Sequence, residues 1–204
     1  EAAAAAARAA GAQARAYRVD ITDEAQVAAA LDSAAADLGG LDGLLHVAGI
    51  MRGQGLDVRE VSTQLWAEVI AANLTGPFLV AKHAVPHLVA AGGGVIVLVA
   101  SKAGIVTGSG SVPYGASKGG LHGLALTLAR QLRPQGIRVH TLCPGDIDTP
   151  LMRRSLDEAR ANGAEADRVA GIQAGLGRPE EVAQVLALLC SSAADGLDGA
   201  VFTS

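Results

Sequence analysis

Residues 92–101, GGGVIVLVAS, place an unbroken apolar run directly after three glycines. This pattern is typical of a strand buried on both faces, as in a parallel sheet, whereas a half-exposed strand alternates apolar and polar residues. Helical patterns lie on either side of the run, over residues 62–91 and 113–132. A buried strand between two helices predicts an α/β fold, in which helices cover both faces of a parallel sheet.

The same alternation of strands and helices continues along the rest of the chain. The sequence predicts further strands over 14–21, 41–49, 137–143 and 199–204, and further helices over 23–38 and 179–192. Thr22 is the predicted cap of the helix 23–38, and Gly39-Gly40 its stop. Because no internal repeat or linker interrupts the pattern, residues 1–204 are predicted to form a single domain.

Within 62–91, one helical face is predicted to be buried, and two prolines are expected to kink or divide the helix. The predicted buried face consists of Trp66, Val69, Ile70, Leu74, Phe78 and Leu79. The two prolines are Pro77 and Pro86.

Composition and charge exclude several classes of protein. Half of the residues are hydrophobic and the net charge is −4, which is typical of a well-packed globular protein. The chain has no basic run for a nucleic acid, no apolar stretch long enough to span a membrane, and no signal-peptide pattern at its N-terminus. A cytoplasmic protein without nucleic-acid or membrane partners is therefore expected. Cys143 and Cys190 show no metal-binding spacing, so they are predicted to be buried thiols and no metal site is expected.

Tyr114 and Lys118 are separated by four residues in a predicted helix, which places both side chains on one helical face. A free tyrosine has a pKa of about 10, too high for proton transfer at neutral pH. A nearby ammonium favours the phenolate and lowers this pKa. The pair therefore suits a general acid–base couple, although a surface pair without a role remains the alternative.

Other polar residues lie where ligands bind in such folds, beyond the carboxyl ends of parallel strands. The loops after residues 21, 48, 100 and 143 are predicted to line one crevice. Ser101 ends the buried strand and can donate a hydrogen bond to a carbonyl oxygen there. Asn73 lies in mid-helix, where asparagine is unfavourable, and is interpreted either as a solvent-facing or locally bonded residue or as one that interrupts the helix and holds a water. Pro144-Gly145 predicts a tight turn that exposes backbone amides.

Seven segments, in this order, resemble motifs of the short-chain dehydrogenase/reductase family, and the resemblance covers essentially the whole chain. They are VDITD (19–23), HVAG (46–49), NLTG (73–76), ASKAG (100–104), YGASK (114–118), PGDIDTP (144–150) and GRPEEVA (177–183). In the second segment, His46 and Val47 replace two asparagines of the family motif. Since the contact from this segment is largely backbone, cofactor binding is expected to tolerate the change.

The resemblance implies a fold, a cofactor and a reaction. The fold is a Rossmann-like doubly wound parallel sheet in three α/β/α layers, and the cofactor is NAD or NADP. The reaction interconverts an alcohol and a ketone or aldehyde by hydride transfer.

The resemblance also assigns roles to four residues. Tyr114 exchanges the proton with the substrate, and Lys118 lowers the tyrosine pKa and holds the nicotinamide ribose. Ser101 fixes the substrate oxygen, and Asn73 positions a relay water. The implied cofactor contacts are Asp20, Ile21, His46, Ala48, Gly49, Tyr114, Lys118, Pro144, Gly145, Ile147 and Thr149.

The glycine-rich fingerprint of a dinucleotide site, G-x-G-x-x-G, is absent from the 204 residues. The segment GQG at 53–55 follows the wrong strand and lacks the third glycine. By resemblance, the chain lacks the first two strands of a sheet ordered 3-2-1-4-5-6-7 and stops within the last strand, so it is expected to be a piece of a longer product. Strand 14–21 is then expected either to pair with strand 41–48 or to leave a gap in the sheet. A non-catalytic fragment or scaffold that has lost cofactor binding is the alternative function.

The resemblance further implies a lid over a small-molecule substrate at residues 151–176. Arg153 and Arg154 in this segment either meet an anionic group or form a solvated helix face, and the second interpretation is favoured. Family members commonly form tetramers, so a tetramer or dimer is expected, with the helices of 62–91 and 113–132 between subunits.

Overall fold

A parallel sheet with helices on both faces organises the computed structural model, which describes residues 1–197 and 199–203. The strands are β1 (Gly43–His46), β2 (Gly94–Val99), β3 (Ile137–Cys143) and β4 (Gly199–Phe202). They pair in the order β1-β2-β3-β4, and every pair is parallel. The predicted α/β fold is therefore confirmed. The last residue of the predicted strand 199–204, Ser204, lies outside the described residues.

Helices connect the strands and flank the sheet. They are α1 (Ala2–Ala9), α2 (Glu24–Leu38), α3 (Thr63–Ile70), α4 (Gly76–Ala90), α5 (Val112–Leu132), α6 (Pro150–Ala161), α7 (Ala166–Ala174) and α8 (Pro179–Cys190). A π-helical turn, Ala71–Thr75, joins α3 to α4. Short 3₁₀ turns cover Arg133–Gln135 and Ser192–Ala194.

The central strand β2 is buried on both faces, which explains its unbroken apolar sequence. Ile96 and Leu98 pack on one face with residues of α4 and α5, among them Leu121. Val95 and Val97 pack on the other face in a second cluster that includes Leu189 of α8. Successive residues of β2 thus belong to cores on opposite faces of the sheet, and the three-layer architecture follows.

The predicted strand 14–21 is wrong, because residues 12–20 form neither helix nor strand. Without a strand partner, this segment lies beside α2 instead: the Tyr17 hydroxyl donates to Asp37, and the Asp20 amide donates to the side chain of Gln26. The first expected outcome for the sheet, direct pairing with β1, is wrong, and of the second outcome only the unpaired edge is found among the described residues. Among the described residues β1 is an edge strand, and Leu45 on it is 44% exposed.

The start of α2 and the region around Pro77 also differ from the prediction. Asp23, not Thr22, caps α2, because its carboxylate accepts from the amides of Ala25 and Gln26. The predicted helix 62–91 is divided by the π-helical turn directly before Pro77, which lies in the first turn of α4, and α4 continues through Pro86.

Several residues predicted to be buried are exposed. On the predicted buried face of 62–91, Val69 and Leu79 are buried, but Trp66 and Phe78 are 41% and 46% exposed. Cys143 is buried as predicted, whereas Cys190 is exposed. Exposed side chains at these positions show that apolar spacing alone does not identify which face meets the core.

Across residues 1–197 and 199–203, no helix combines the length and the apolar character required to cross a lipid bilayer. In the same part of the chain, no group of three or more His, Cys, Asp and Glu side chains is placed to hold a metal ion.

Candidate active site

The carboxyl ends of β1, β2 and β3 lie side by side, because parallel strands in register end at the same edge of a sheet. His46 pairs with Leu98, and Val99 pairs with Leu142. Beyond the strands, the Lys102 amide donates to the carbonyl oxygen of Pro144 at 3.1 Å, which joins the loops after β2 and β3. Two of the four loops that were predicted to line one crevice, those after residues 100 and 143, therefore meet at this edge.

Asn73 is fully buried in the π-helical turn between α3 and α4. Its Oδ1 accepts from the Ile50 amide at 2.8 Å, and its Nδ2 donates to the Ile50 carbonyl at 2.8 Å and to Ser117 Oγ at 3.1 Å. The side chain therefore fixes the loop after β1 in the way that a neighbouring strand would. The predicted interruption of the helix is confirmed, and both amide hydrogens of Asn73 are engaged by protein groups.

Tyr114 and Lys118 lie on the first turns of α5 and are 8% and 4% exposed. Lys118 Nζ donates to the carbonyl oxygen of Val99 at 2.8 Å and lies 5.7 Å from the centre of the Tyr114 ring. The predicted shared face is confirmed. Since Val99 ends β2, this bond holds α5 against the carboxyl edge of the sheet.

Burial is the main influence on the pKa values of Lys118, His46 and Tyr114. It lowers the pKa of Lys118 to about 8. Burial, and secondarily the Lys118 charge, lowers the pKa of His46 to about 4, so His46 is neutral. The pKa of Tyr114 is raised by burial and by the nearby Asp146 charge, and a hydrogen bond with the Ser101 side chain opposes this rise.

The expected lowering of the tyrosine pKa by Lys118 is therefore wrong for this structure. The lysine ammonium is directed to the Val99 carbonyl and does not relieve the burial of the phenol. Here burial outweighs the neighbouring groups that favour the phenolate.

Ser101 follows β2, and its Oγ accepts from the Ala103 amide at 3.1 Å. The loop that carries it lies directly on α5 at Gly104, where φ is +83° and an added Cβ would collide with the carbonyl oxygen of Gly115. This close approach brings Ser101 within hydrogen-bonding reach of the Tyr114 side chain.

The predicted cofactor residues of the β1 loop lie at the same edge. Among the described residues, the Nε2 of the buried His46 has no hydrogen-bond partner. Ala48 is exposed and Gly49 half-buried. A Cβ at Gly49 would lie 3.1 Å from Asn73 Oδ1 and 3.5 Å from Lys118 Nζ. Glycine therefore allows the loop after β1 to lie this close to both side chains.

The predicted contacts after β3 surround the start of α6. Pro144 is buried and Gly145 half-buried. Ile147 forms a parallel bridge with Gly177, and Thr149 caps α6 by accepting from the Met152 amide at 3.2 Å.

Two more of the implied cofactor contacts, Asp20 and Ile21, have other partners than Asn73, Ser101, Tyr114 and Lys118. The Asp20 carboxylate accepts from the amide and hydroxyl of Thr22, at 2.9 and 2.7 Å. Ile21 lies against Gly76, at the start of α4. The structure thus gathers Asn73, Ser101, Tyr114 and Lys118, and leaves Asp20 on the irregular N-terminal segment.

Ser111 and Ser117 are buried site residues that sequence reasoning missed. Ser111 Oγ accepts from the Tyr114 amide at 3.3 Å, and Ser117 Oγ donates to the Tyr114 carbonyl at 2.8 Å. Ser111 had a detectable signal, because a serine just before a proline in the first turn is a common helix start. Ser117 had none, since its role depends on Asn73 from another helix.

A family model described as enoyl-(acyl carrier protein) reductase matches residues 1–204. The chain therefore belongs to the short-chain dehydrogenase/reductase family, whose enzymes are NAD- or NADP-dependent oxidoreductases.

Individual relatives agree with this assignment. Cis-4-hydroxycyclohexanecarboxylate dehydrogenase of Sinomonas cyclohexanicum is 41% identical over 95% of this chain and 76% of the relative. Inactive 2-(S)-hydroxypropyl-CoM dehydrogenase 2 of Xanthobacter autotrophicus is 37% identical over 94% of this chain and 84% of the relative. The crystal structure of NAD⁺-bound xylitol dehydrogenase superposes with a TM-score of 0.89 at 29% identity, over 98% of this chain and 81% of that chain.

Replacing Asn73 by alanine is expected to release the loop after β1. The substitution leaves the partly buried amide and carbonyl of Ile50 without the Asn73 side chain as partner, so the free energy of unfolding is expected to fall by about 2–4 kcal/mol. Urea denaturation measures the loss, and faster exchange of the Ile50 amide locates it. Ser117→Ala is the control, because it removes only one of the three bonds of Asn73; an equal loss in both variants would contradict the role of the loop contact.

Replacing Lys118 by methionine is expected to change how stability depends on pH. The folded pKa of about 8 lies below the ordinary value of 10.5. The unfolded chain therefore binds more protons between these values, and the stability of the native protein rises with pH from about 8 towards 10. Lys118→Met removes this rise. The free energy of unfolding of the variant minus that of the parent is therefore expected to decrease as the pH increases. Urea denaturation at pH 7 and 9.5 tests the sign; a constant difference would contradict the lowered pKa.

Proposed function

We propose that this chain interconverts an alcohol and a ketone or aldehyde with NAD or NADP, using Tyr114 as the general acid and base. The observation that carries the proposal is the gathering of Asn73, Ser101, Tyr114 and Lys118 at the carboxyl edge of β1, β2 and β3. A hydroxyl, a phenol and an ammonium meet there in a place largely removed from water, where hydrogen bonds to a developing charge are strong.

The residues present fit the nicotinamide end of the cofactor. Lys118 offers a buried ammonium that donates to the neutral carbonyl of Val99, and none of the described carboxylates pairs with it. Gly49 lies beside this ammonium, and His46 contributes a buried nitrogen that has no hydrogen-bond partner among the described residues. When bound, NAD or NADP supplies or accepts the hydride.

The protonation of Tyr114 favours reduction at neutral pH. Because its pKa is raised, the phenol holds its proton and can donate it to the oxygen of a carbonyl substrate, forming the hydroxyl of the product. Ser101 is proposed to donate a hydrogen bond to the same oxygen. In the direction of oxidation Tyr114 must first lose its proton, so this direction is expected to speed up as the pH rises.

A small secondary alcohol is the proposed substrate class, and cis-4-hydroxycyclohexanecarboxylate is the first compound to test because of the 41% identical relative. Arg153 is not proposed as an anion contact. Its guanidinium binds Asp148 through two hydrogen bonds, at 2.8 and 2.9 Å. Arg153 is also exposed, which agrees with the favoured interpretation of a solvated helix face. A cytoplasmic location remains a prediction from the sequence.

Tyr114→Phe is the direct test of this mechanism. The variant keeps the aromatic ring but lacks the hydroxyl group that would donate the proton, so turnover is expected to fall by about 10²–10⁴-fold. Nicotinamide fluorescence of NADH and NADPH in the presence of each protein measures whether cofactor binding persists. Tyr17→Phe is a matched control, because the only other tyrosine is an exposed residue that donates to Asp37.

The outcomes separate the two candidate functions. Retained cofactor binding with lost turnover in Tyr114→Phe supports the enzyme, and equal turnover in both tyrosine variants overturns the role of Tyr114. The absence of any NADH or NADPH signal with the parent protein favours the non-catalytic scaffold. Two features support that alternative: the sequence has no G-x-G-x-x-G, and one 37% identical relative is named inactive.

We also propose that the chain assembles with copies of itself through α3, α4 and α5. Trp66, Phe78 and Leu126 are 41%, 46% and 51% exposed on these helices, and large apolar side chains at a surface commonly mark an interface. Light scattering after size-exclusion chromatography is expected to give two or four chains of 20.4 kDa. Phe78→Glu is expected to reduce this mass, and a monomeric parent protein would contradict the proposal.

A further inference from the structure

Two fully buried serines, Ser111 and Ser117, bind the backbone of Tyr114 from its two sides. Ser111 Oγ accepts from the Tyr114 amide at 3.3 Å, and Ser117 Oγ donates to the Tyr114 carbonyl at 2.8 Å. Both backbone groups of the residue that carries the phenol are therefore engaged by a hydroxyl.

Each serine uses the rest of its hydrogen-bonding capacity on a group outside α5. Ser111 Oγ donates to the Arg52 carbonyl at 2.6 Å. Ser117 Oγ accepts from Asn73 Nδ2 at 3.1 Å, and the Asn73 side chain in turn binds the amide and the carbonyl of Ile50. A hydroxyl has one proton to donate, so each serine is a donor on one side and an acceptor on the other. These two connections, the serine bridges, both end on the loop after β1, two residues apart.

Glycine at position 53 allows this loop to lie close to the start of α5. A Cβ at Gly53 would lie 3.1 Å from the side chain of Leu65 in α3 and 3.7 Å from Ser111 Oγ. Its φ of +76° is also one that other residues rarely adopt. The first glycine of the GQG segment is therefore explained by contact with α3 and α5, rather than by a phosphate.

The serine bridges act on the turn of α5 that needs them most. Tyr114 is the third residue of α5, where a backbone amide has no carbonyl partner within the helix. One turn further along, Lys118 Nζ donates to the Val99 carbonyl at the end of β2. The phenol is thus carried by a turn that the serines fix to the loop after β1, next to a turn that the lysine fixes to β2.

We propose that Ser111 and Ser117 are positioning residues that fix Tyr114 to the loop after β1 and thereby set where its phenol lies for proton transfer. The part played in proton transfer rests on the proposed function, whereas the hold on α5 does not. Neither serine is assigned a contact with substrate, since each acts through the backbone of Tyr114.

Hydrogen exchange of the whole chain, followed by mass spectrometry, tests the hold on α5 without cofactor or substrate. Ser111→Gly removes both bonds of the hydroxyl, although glycine itself is tolerated at the start of a helix. Exchange in peptides covering 50–53 and 112–118 is therefore expected to become about tenfold faster. Ser117→Ala is expected to act in the same direction on 112–118, and it keeps the proposal falsifiable if Ser111→Gly does not fold.

Two further variants separate the serine bridges from a general loss of helix stability. Ser111→Thr keeps a hydroxyl that can accept from Tyr114 and donate to Arg52, so exchange is expected to return to within about twofold of the parent protein. Thr127→Ala removes a hydroxyl-to-carbonyl bond within α5, from Thr127 to Gly123 at 3.0 Å, and is expected to leave both peptides unchanged. Unchanged exchange of 112–118 in both Ser111→Gly and Ser117→Ala, or an equal increase in the core strand 94–99, would overturn the proposal.

Kinetics then test the placement of the phenol, if the parent protein turns over. Ser111→Gly and Ser117→Ala are each expected to lower kcat by about tenfold and to change KM by less than about twofold, because they displace the proton donor and leave the substrate contacts in place. Ser111→Thr is expected to restore kcat. Unchanged kcat in both variants, or a rise in KM alone, would overturn the role in proton transfer. Lack of turnover in the parent protein would count against the proposed function, while the exchange result would still decide the hold on α5.

Discussion

A buried ammonium, Lys118, that pairs with no carboxylate of residues 1–197 and 199–203 is the constraint around which this site is built. Removing Lys118 from water is unfavourable, and one hydrogen bond to the Val99 carbonyl offsets only part of that cost. The remainder is met by the packing of α5 on β2 and β3, where Leu121 and Leu98 are fully buried. The same burial keeps His46 neutral and raises the pKa of the Cys143 thiol to about 11, so of these three groups Lys118 is the one that carries charge.

The central part of the fold could be predicted because its signals are local and mutually consistent. Strand β2 is apolar at every position after Gly94, since each face meets a separate core. The shared face of Tyr114 and Lys118 follows from helical spacing alone. Asn73 was identifiable by its poor fit to a helix interior, and the π-helical turn around it is the structural reason for that misfit.

Other features depended on partners that a sequence does not display. Residues 14–21 have a strand-like composition, but a strand also needs hydrogen-bonding neighbours, and this segment bonds to α2 instead. Trp66 and Phe78 have apolar spacing on a helix, yet the core lies on another face. The sign of the Tyr114 pKa shift was mispredicted because burial, which spacing cannot reveal, raises the pKa and outweighs the hydrogen bond with Ser101 that opposes the rise.

The contact between Gly104 and α5 has a consequence for how this protein can vary. A buried leucine such as Leu98 can be exchanged for an isomer of similar volume, because neighbouring side chains adjust. Gly104 is exposed, but its missing side chain faces the backbone of Gly115, which cannot move aside without shifting the whole of α5. Tolerance to mutation in this family member is therefore narrow at Gly104, although it is a small surface residue, because the loop that it shares with Ser101 lies directly on the backbone of α5.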